Sequence, residues 1–579
     1  MNGNVRIGIG LRDALSAGYG RADFRADAVA GIVVGVIALP LSMALAIATG
    51  VPPQNGLYTA IVAGAAVAVT GGARLQITGP TAAFVALLVP IVANHGLAGL
   101  LMAGLMAGAI QIAMGYARLG RWIELVPHPV TTGFTLGVAV VIASIQVKDV
   151  FGLDVAGTSA DFAERIETFW AARDTASRWE LGIAGATLAM LIALPRISRR
   201  APAPLIALGV AALAAWLGHA YIDGFAVDTV GTRFQSVVGG EVVAGIPPLP
   251  PVPAWPWSQP GPGGAALAVD FGLLRSLLPS AFAIAMLGAI ESLLSAVVAD
   301  AATGQRHDPN TELVGLGIGN LLCPFFGGIP ATAALARTAA NIRAGGRTPI
   351  SAVVHSAFVL ACTVALAPLV AYLPMAALAA LLLVVAYNMS EVRHFARLLR
   401  IAPGADVLVL VTCAGLTILF DMVLAVGVGV VLAALIFMRR MSELTDVRLD
   451  EGGPRDFDVP EGIHVYEIAG PLFFGAAQRA VNAVETGGAI AVVIVMDHVP
   501  VVDATGLVAL ESLIRSLDRT HSKAIFAGVQ PEVRRAMERA GIVKHPGRLA
   551  YAPDLDAALS IAVIHAERAR PEPAASGAG

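Results

Sequence analysis

The 579-residue sequence has few charged side chains and few cysteines, and each shortage excludes a class of protein. Charged residues make up only 14% of the chain whereas 56% is hydrophobic, which excludes an ordinary soluble globular protein. A net charge of −3 gives no reason to expect nucleic acid as a partner. The three cysteines all lie in apolar segments, so neither a disulfide framework nor a zinc site is predicted.

Motifs for enzyme chemistry and for secretion are also missing. The chain has no phosphate-binding GxxxxGK[ST] sequence, which argues against an ATP-driven pump. No nucleophile, base and orienting group stand in a recognisable arrangement, so we expect neither an enzyme nor a cofactor. No cleavable signal is visible, because the first apolar segment begins only at Ala28 and leads directly into others.

Apolar segments dominate the sequence instead, and the mean hydropathy is +0.75. About fourteen segments are candidates for crossing a membrane, although several are shorter than the roughly 20 residues that a perpendicular helix needs. With the N-terminus in the cytoplasm, the arginine-rich turns between them fall on the cytoplasmic side. We therefore predict a multi-pass α-helical protein of the bacterial inner membrane with both termini cytoplasmic. The segments are 28–49, 55–72, 75–93, 97–117, 129–147, 180–195, 203–222, 273–299, 311–326, 330–342, 350–371, 374–388, 405–421 and 423–438.

Two of these apolar regions are interrupted by glycine and proline. TGGARLQITGPTAAF covers residues 70–84, and FGGIPATAALART covers residues 326–338. Each interruption predicts a helix that begins inside the bilayer, where its first N–H groups and positive dipole end form an anion site. The alternative is that glycine and proline are simply common in transmembrane helices. The predicted substrate-binding residues at the two helix starts are Thr81, Ala82, Ala83, Ala333, Ala334 and Leu335.

The two interruptions occupy matching places in two halves of the chain. Residues 57–72 align without a gap with residues 313–328, and the Gly71-Gly72 pair falls on Gly327-Gly328. Paired broken segments of this kind point to a transporter site at the interface of an internal repeat.

Glu291 is the one acid deep inside an apolar segment. Because burying a lone carboxylate is expensive, it is a functional candidate that can take up a proton near neutral pH. The alternative is a structural carboxylate bonded to the backbone. Ser292 and Ser295 can offer hydroxyls near it, or can bond to their own helix instead.

Two further residues are candidates for the substrate site. Arg337 follows the second interruption within a turn, and its guanidinium could bind a carboxylate through two hydrogen bonds. The alternative is an arginine that extends to the cytoplasmic interface. Ser42, after Pro40 in the first span, is predicted to line the other side of the site.

The sequence divides into regions of different composition. Residues 1–27 are predicted to be a cytoplasmic segment, 28–440 a transmembrane transport domain, 441–460 a linker, 461–568 a small α/β domain, and 569–579 a disordered tail. The α/β prediction follows from short β-rich runs that alternate with helical patterns.

Several stretches together resemble the sulfate permease (SulP) family of anion transporters, the bacterial branch of the SLC26 group. They are ALPLSMALAIATGVPPQNGLYTA (38–60), TGPTAAF (78–84), ELVPHPVTTGFTLG (124–137), ESLLSAVVADAATGQRHDPNTELVGLGIGN (291–320), FGGIPATAALARTAANIRAG (326–345) and VVDATGL (501–507). The resemblance implies seven plus seven helices as inverted repeats, a core that moves against a gate, a cytoplasmic STAS domain and a homodimer. AYNMSEVRHF and the last apolar segment look most like the succinate or C4-dicarboxylate branch.

The resemblance also assigns roles to individual residues. It places Glu291 where relatives bind a coupling cation, which favours proton symport and leaves sodium as the alternative. Inorganic-anion transporters can carry threonine where Leu335 stands, which favours a dicarboxylate over sulfate or bicarbonate. The turn QRHDPNTE (305–312) becomes a capping turn with the next helix starting at Asn310 or Thr311, rather than a metal site.

The STAS domain offers one regulatory candidate. In a related family of regulators a serine is phosphorylated at a helix start, and Thr505 is the matching hydroxyl. The alternative is that Thr505 is an ordinary helix cap. STAS-binding proteins are possible cytoplasmic partners, a membrane-anchored STAS signalling protein is the competing function class, and a nucleobase permease of the same fold is a third interpretation.

Overall fold

The structure is a computed structural model that describes residues 5–123, 127–155, 159, 161–198, 202–238, 241–265, 267–420, 422–443, 446–449, 461–484 and 488–569. The predicted linker 441–460 and tail 569–579 fall largely outside these residues. The chain forms two compact units, Met1–Val430 and Val431–Gly579.

The first unit is almost entirely helical. Among the described residues, nine helices are long and apolar enough to cross a membrane, which confirms a multi-pass helical protein. Its helices are α1 Ile9–Ser16, α2 Arg21–Thr49, α3 Pro53–Thr70, α4 Ala82–Tyr116, α5 Gly120–Ile123, α6 His128–Phe151, α7 Phe162–Ala171, α8 Arg178–Ile197, α9 Ala203–Tyr221, α10 Val230–Arg233, α11 Phe271–Thr303, α12 Pro309–Leu322, α13 Leu335–Arg343, α14 Ile350–Val370, α15 Met375–Ser390, α16 Val392–Ile401, α17 Gly404–Leu419 and α18 Met422–Glu443. Its strands are β1 Thr78–Gly79, β2 Gln235–Val238, β3 Glu241–Ala244 and β4 Thr332–Ala333.

The long helices pack in two groups. In the first, α2, α3, α4, α11, α12, α13 and α14 contact one another. In the second, α6 packs against α15 and α17, and α15 packs against α8, which contacts α9. We call these groups the core bundle and the gate bundle, after the two parts that the resemblance implies.

The predicted boundary between the apolar segments 75–93 and 97–117 coincides with a kink in α4, although the first of them becomes helical only at Ala82. The chain is extended until Thr81, and α4 then consists of two helices that join at Gly96, where φ is +65° and ψ is −168°. A Cβ at Gly96 would lie 2.4 Å from the carbonyl carbon of Gly261, so glycine is required there for the close approach of that loop.

The second unit contains the predicted α/β domain. Its strands are β5 Asp446–Leu449, β6 Ile463–Ala469, β7 Ala491–Val495, β8 Lys523–Ala527 and β9 Leu549–Ala552, and its helices are α19 Phe474–Ala483, α20 Ala504–Arg519, α21 Pro531–Arg539 and α22 Leu555–Ala569. The sheet order is β5-β6-β7-β8-β9; β5 pairs antiparallel with β6, and the other neighbours are parallel. Every residue of β7 is buried, as expected for a central strand covered on both faces. Strand β5 lies within the segment that the sequence assigns to a linker.

Candidate functional site

Both interrupted segments produce helices that start beside each other in the core bundle. Strand β1 pairs antiparallel with β4, with Gly79 opposite Thr332, and α4 and α13 begin within three residues of these strands. Thr81 precedes α4 and Ala334 precedes α13, both in extended conformation, and neither helix has a side-chain cap. The first N–H groups of both helices therefore lack intrahelical acceptors, as the anion-site prediction requires.

Glu291 reaches the start of the first half-helix from α11. Its Oε2 accepts a hydrogen bond of 3.0 Å from the Thr81 hydroxyl. Thr81 thus bonds through its side chain to the acid and does not cap α4 with it. The alternative of a carboxylate bonded to the backbone has no support among the described contacts, because the hydrogen bond found for Glu291 goes to a hydroxyl.

Arg337 of α13 contacts Pro80, the residue before Thr81. Its side chain is only 2% exposed, and its Nη2 donates a hydrogen bond to the carbonyl of Pro80. The alternative, an arginine that extends to the cytoplasmic interface, is therefore wrong. Its Nε and Nη1 have no hydrogen-bond partner among the described residues. A buried guanidinium with unused donors beside two helix N-termini is suited to bind an anion.

The two serines after Glu291 face other parts of the core bundle. Ser292 Oγ donates to Glu312 Oε1 at 3.2 Å, and Ser295 Oγ donates to Thr338 Oγ1 at 3.2 Å. The hydrogen bonds found for these hydroxyls go to other helices, so the alternative of serines bonded to their own helix is wrong, and a role of Ser292 and Ser295 in substrate binding stays a prediction. They connect α11 to α12 and α13, the two helices around the second interruption.

Ser42 and Leu335 differ in their surroundings. Ser42 is fully buried in α2, and its backbone carbonyl lies 2.0 Å from the position that a Cβ on Gly56 would occupy. The structure thus places Ser42 against α3, and its described contacts include none with Glu291 or Arg337. Leu335, at the first position of α13, is 42% exposed. An apolar side chain therefore stands uncovered at the start of the second half-helix.

Glu312 is a site residue that sequence reasoning missed. It is 1% exposed in the first turn of α12, and its Oε2 accepts hydrogen bonds of 2.9 Å from the N–H groups of both Gly72 and Ala73. Its other oxygen accepts from Ser292. Glu312 therefore fixes the extended approach to α4 and, through Ser292, the helix that carries Glu291.

The turn before Glu312 is a cap, although the capping residue differs from the prediction. Asp308 precedes α12 and its Oδ1 accepts from the N–H of Thr311 at 2.8 Å, so neither Asn310 nor Thr311 is the cap. His307 Nδ1 lies 2.8 Å from Asp300 Oδ2. Within the described ranges no cluster of three or more histidine, cysteine or acidic residues could hold a metal.

A match to a protein-family model identifies the family of this chain. The model of the sulfate permease family matches residues 24–413, which include both interruptions, Glu291 and Arg337. The chain belongs to the sulfate permease family. A STAS domain model matches residues 455–558, so the α/β unit is the family's STAS domain.

Relatives cover nearly the whole permease. A Bacillus subtilis protein named as a candidate sulfate transporter, YvdB, is 36% identical over 536 residues, covering 92% of this chain and 96% of its own. The bicarbonate transporter BicA of Picosynechococcus is 28% identical over 548 residues, covering 90% and 92%. This permease is accordingly an anion transporter of the SulP/SLC26 type, with sulfate and bicarbonate transporters among its relatives.

Solved structures share its fold. A structure titled as the overall structure of SLC26A9 matches with a TM-score of 0.81 at 18% identity, covering 96% of this chain and 92% of its own. The transmembrane domain of a cyanobacterial BicA matches with a TM-score of 0.59 at 26% identity, covering 72% and 98%. The match to SLC26A9, at 18% identity, supports only the fold of this permease, including that of its STAS domain.

Thr505 lies in the STAS domain of this permease at an exposed position in the first turn of α20. The residue that caps the helix is Asp503, whose Oδ1 accepts from the N–H of Gly506 at 2.7 Å. The interpretation of Thr505 as the helix cap is therefore wrong. Its exposed hydroxyl remains a predicted phosphorylation site.

Proposed function

We propose that this permease is a secondary active importer that couples the uptake of a small anion to protons through Glu291. The observation that carries the proposal is that Glu291 is bonded to Thr81 and Arg337 to Pro80, directly before the first half-helix. The first N–H groups of α4 and α13 and the guanidinium of Arg337 supply positive potential. The substrate-binding set predicted around them consists of Thr81, Ala82, Ala83, Ala333, Ala334, Leu335 and Arg337.

Glu291 can couple an anion to a proton because its partner is a neutral hydroxyl. Thr81 can donate to a charged carboxylate and can accept from a protonated one, so the contact persists in both states. Charged Glu291 repels an anion at the helix starts, whereas protonated Glu291 admits it. Anion and proton would then move together as the core bundle shifts against the gate bundle. Sodium is the alternative coupling ion.

For the substrate we propose a C4-dicarboxylate such as succinate, with sulfate or bicarbonate as the alternative. The exposed Leu335 supports a substrate with carbon atoms, because an apolar side chain gains little from a fully hydrated inorganic anion. The guanidinium of Arg337 and the helix N-termini could each take one carboxylate. The names of the relatives favour the alternative.

Transport assays with the purified permease in proteoliposomes test both parts of the proposal. Radiolabelled succinate, fumarate, sulfate and bicarbonate are compared under an imposed proton gradient, an imposed sodium gradient and no gradient. We expect accumulation of a dicarboxylate driven by the proton gradient. Accumulation of sulfate or bicarbonate alone would replace the dicarboxylate proposal, and no transport of any of them would refute anion uptake.

Glu291→Gln tests the coupling step. The amide keeps the size and the contact with Thr81 but cannot release a proton, so uptake driven by a proton gradient should be lost while the protein still folds. Thr81→Val is the matched control, because it removes the hydroxyl and leaves the acid in place. A Glu291→Gln permease whose uptake depends on pH as the wild type does would remove Glu291 from the coupling role.

We also propose an assembly and a location. We infer from the arginines of the turns that both termini lie in the cytoplasm of a bacterial cell, with the transport unit in the inner membrane and the STAS domain inside. A homodimer and cytoplasmic STAS-binding proteins are the proposed partners. If Thr505 is phosphorylated, the added charge would stand in the first turn of α20 beside Asp503, where it would alter a surface that such partners contact.

A further inference from the structure

Helix α16 is a short helix that joins the apolar helices α15 and α17, and none of its ten residues is buried. The chain turns at Glu391, a non-glycine residue with φ of +42° and ψ of +39°, so α16 does not continue the axis of α15. Pro403 then separates α16 from α17. Because α16 connects two helices that lie within the membrane unit, it stands at one end of them, where the bilayer meets water.

Three arginines form one face of α16. Arg393, Arg397 and Arg400 follow one another at intervals of four and three residues, so they share one side of the helix. All three are exposed, and none of them forms an ion pair within the described part of the chain. Together with Glu391 before the helix, residues 391–401 carry three positive charges and one negative charge. This face therefore presents an excess of positive charge that the protein does not neutralise.

Apolar side chains form another face of the same helix. Val392, Phe395 and Leu399 have intervals of three and four residues, which places them about 130° around the helix from the arginines. Val392 is 42% exposed and Leu399 is 41% exposed. A short helix with a cationic face and an exposed apolar face is typical of helices that lie in the plane of a bilayer surface.

A pair of histidines holds α16 against the gate bundle. The ring of His394 lies 5.3 Å from that of His128, the first residue of α6, and the two ring planes are 66° apart. The Nδ1 of His128 lies 3.0 Å from the hydroxyl of Thr132. This packing fixes the rotation of α16 about its axis, so the arginine face stays exposed.

We propose that α16 binds the headgroups of anionic phospholipids. The phosphate groups of such lipids can accept hydrogen bonds from the guanidinium groups, and their acyl chains can cover Val392 and Leu399. One arginine close to an anionic surface favours it about five-fold. The proposal goes beyond the transport function, and it requires only that this unit spans a membrane, whichever anion or coupling ion it uses.

The first test measures which lipid lies next to α16. Leu399→Cys is introduced into the full chain together with Cys362→Ala and labelled with a fluorophore; Cys323 and Cys413 are buried and should take no label. The permease is reconstituted in vesicles that contain equal fractions of nitroxide-labelled phosphatidylglycerol or nitroxide-labelled phosphatidylcholine, with the nitroxide at the same acyl carbon. We expect phosphatidylglycerol to quench the fluorophore about five-fold more strongly than phosphatidylcholine.

Matched triple variants separate the arginine face from net charge and from folding. Replacing Arg393, Arg397 and Arg400 with glutamine should bring the ratio of the two quenching efficiencies close to one, whereas replacing them with lysine keeps the charge and should keep most of the preference. Glutamine at Arg534, Arg535 and Arg539, which are exposed on α21 of the STAS domain, removes the same charge elsewhere and should leave the ratio unchanged.

The dependence on salt supplies a second measurement. Because the arginines are exposed, the preference for phosphatidylglycerol should fall as sodium chloride is raised from about 50 mM to about 500 mM. Equal quenching by both lipids in the parent, or an unchanged ratio in the triple glutamine variant of α16, would refute the lipid site. Quenching by neither lipid would show that α16 is covered by protein, such as the STAS domain, and would refute it as well. None of these outcomes depends on transport, so the proposed function is tested separately.

Discussion

The two interrupted segments of the core bundle have the same plan and different chemistry. In each, a helix ends, a glycine pair opens an extended stretch, a two-residue strand follows, and a half-helix begins. The extended stretch of each half is hydrogen-bonded to a helix of the other half. In both cases the bonds come from the first turns of the helix that precedes the other interruption. Glu312 of α12 binds Gly72 and Ala73, while Asn55 and Thr59 of α3 bind the carbonyls of Gly327 and Ile329.

The difference between the halves lies in charge. The approach to α4 is held through its N–H groups by a buried carboxylate, whereas the approach to α13 is held through its carbonyls by an amide and a hydroxyl. Arg337 belongs to the second half, and its guanidinium donates a hydrogen bond to Pro80 of the first half. It thereby adds a positive charge at the first interruption. The repeat therefore supplies a symmetric frame, and the charges that can act on an anion and a proton are concentrated around the first interruption.

The largest effect on stability is expected from Glu312→Ala. The substitution leaves the N–H groups of Gly72 and Ala73 buried without an acceptor, at a cost of about 1–3 kcal/mol for each group. We expect a lower midpoint of thermal unfolding in detergent and a loss of transport. Glu312→Gln is the control, since it keeps one oxygen for these N–H groups and should lose much less. Equal thermal midpoints of Glu312→Ala and the wild type would show that the Glu312 carboxylate does not stabilise the extended stretch before α4.

Gly79→Ala tests whether the contact of Arg337, in the second half, with Pro80, in the first half, is needed for anion binding. A Cβ there would lie 2.6 Å from Arg337 Nη1, so the guanidinium must move away from Pro80, whereas Thr332 opposite already carries a side chain. We expect the affinity for the transported anion to fall about ten-fold, which corresponds to about 1.4 kcal/mol.

Gly182→Ala is the matched control for that measurement. It lies in α8, where a Cβ would meet nothing within 4 Å, so transport should be unchanged and stability equal or slightly higher. Wild-type affinity in Gly79→Ala would mean that the position of Arg337 does not determine anion binding.

The smallest effect is expected from Asn55→Ala. It removes one hydrogen bond of 2.6 Å to the carbonyl of Gly327, and Thr59 continues to hold Ile329, so a loss of about 0.5–1.5 kcal/mol is expected. The thermal midpoint should fall less than in Glu312→Ala. A larger fall of the thermal midpoint in Asn55→Ala than in Glu312→Ala would contradict this order. It would show that the second half depends more strongly on its hydrogen bonds than the first half does.

Local chemistry made the half-helix starts predictable from sequence. The Gly-Gly pair and the following proline exclude a continuous helix, so Thr81 and Leu335 fall at or next to the first helical residues as expected. The isolation of Glu291 in an apolar segment also marked it as a site candidate. The division into a helical membrane unit and an α/β unit followed from composition and pattern alone.

Contacts between distant residues could not be predicted. Glu312 stands among His307, Asp308 and Asn310, where an acid looks like an ordinary first-turn residue, and its partners lie 239 and 240 positions away. The directions of Ser292 and Ser295 depend on how α11 is rotated against its neighbours, which packing decides. At α20, Asp503 and Thr505 are both residue types that cap helices, and sequence does not separate two candidates two positions apart.

If anions bind at the two helix starts as proposed, the short ladder between β1 and β4 limits the size of the anion that fits there. Two paired residues fix the spacing between the helix starts, and backbone hydrogen bonds from both halves hold that spacing in place. A bulkier substrate cannot be accommodated by spreading the half-helices apart without breaking this ladder. Replacing a side chain that projects from this frame, such as Leu335, is therefore the change that we expect to alter selectivity without moving the helix starts.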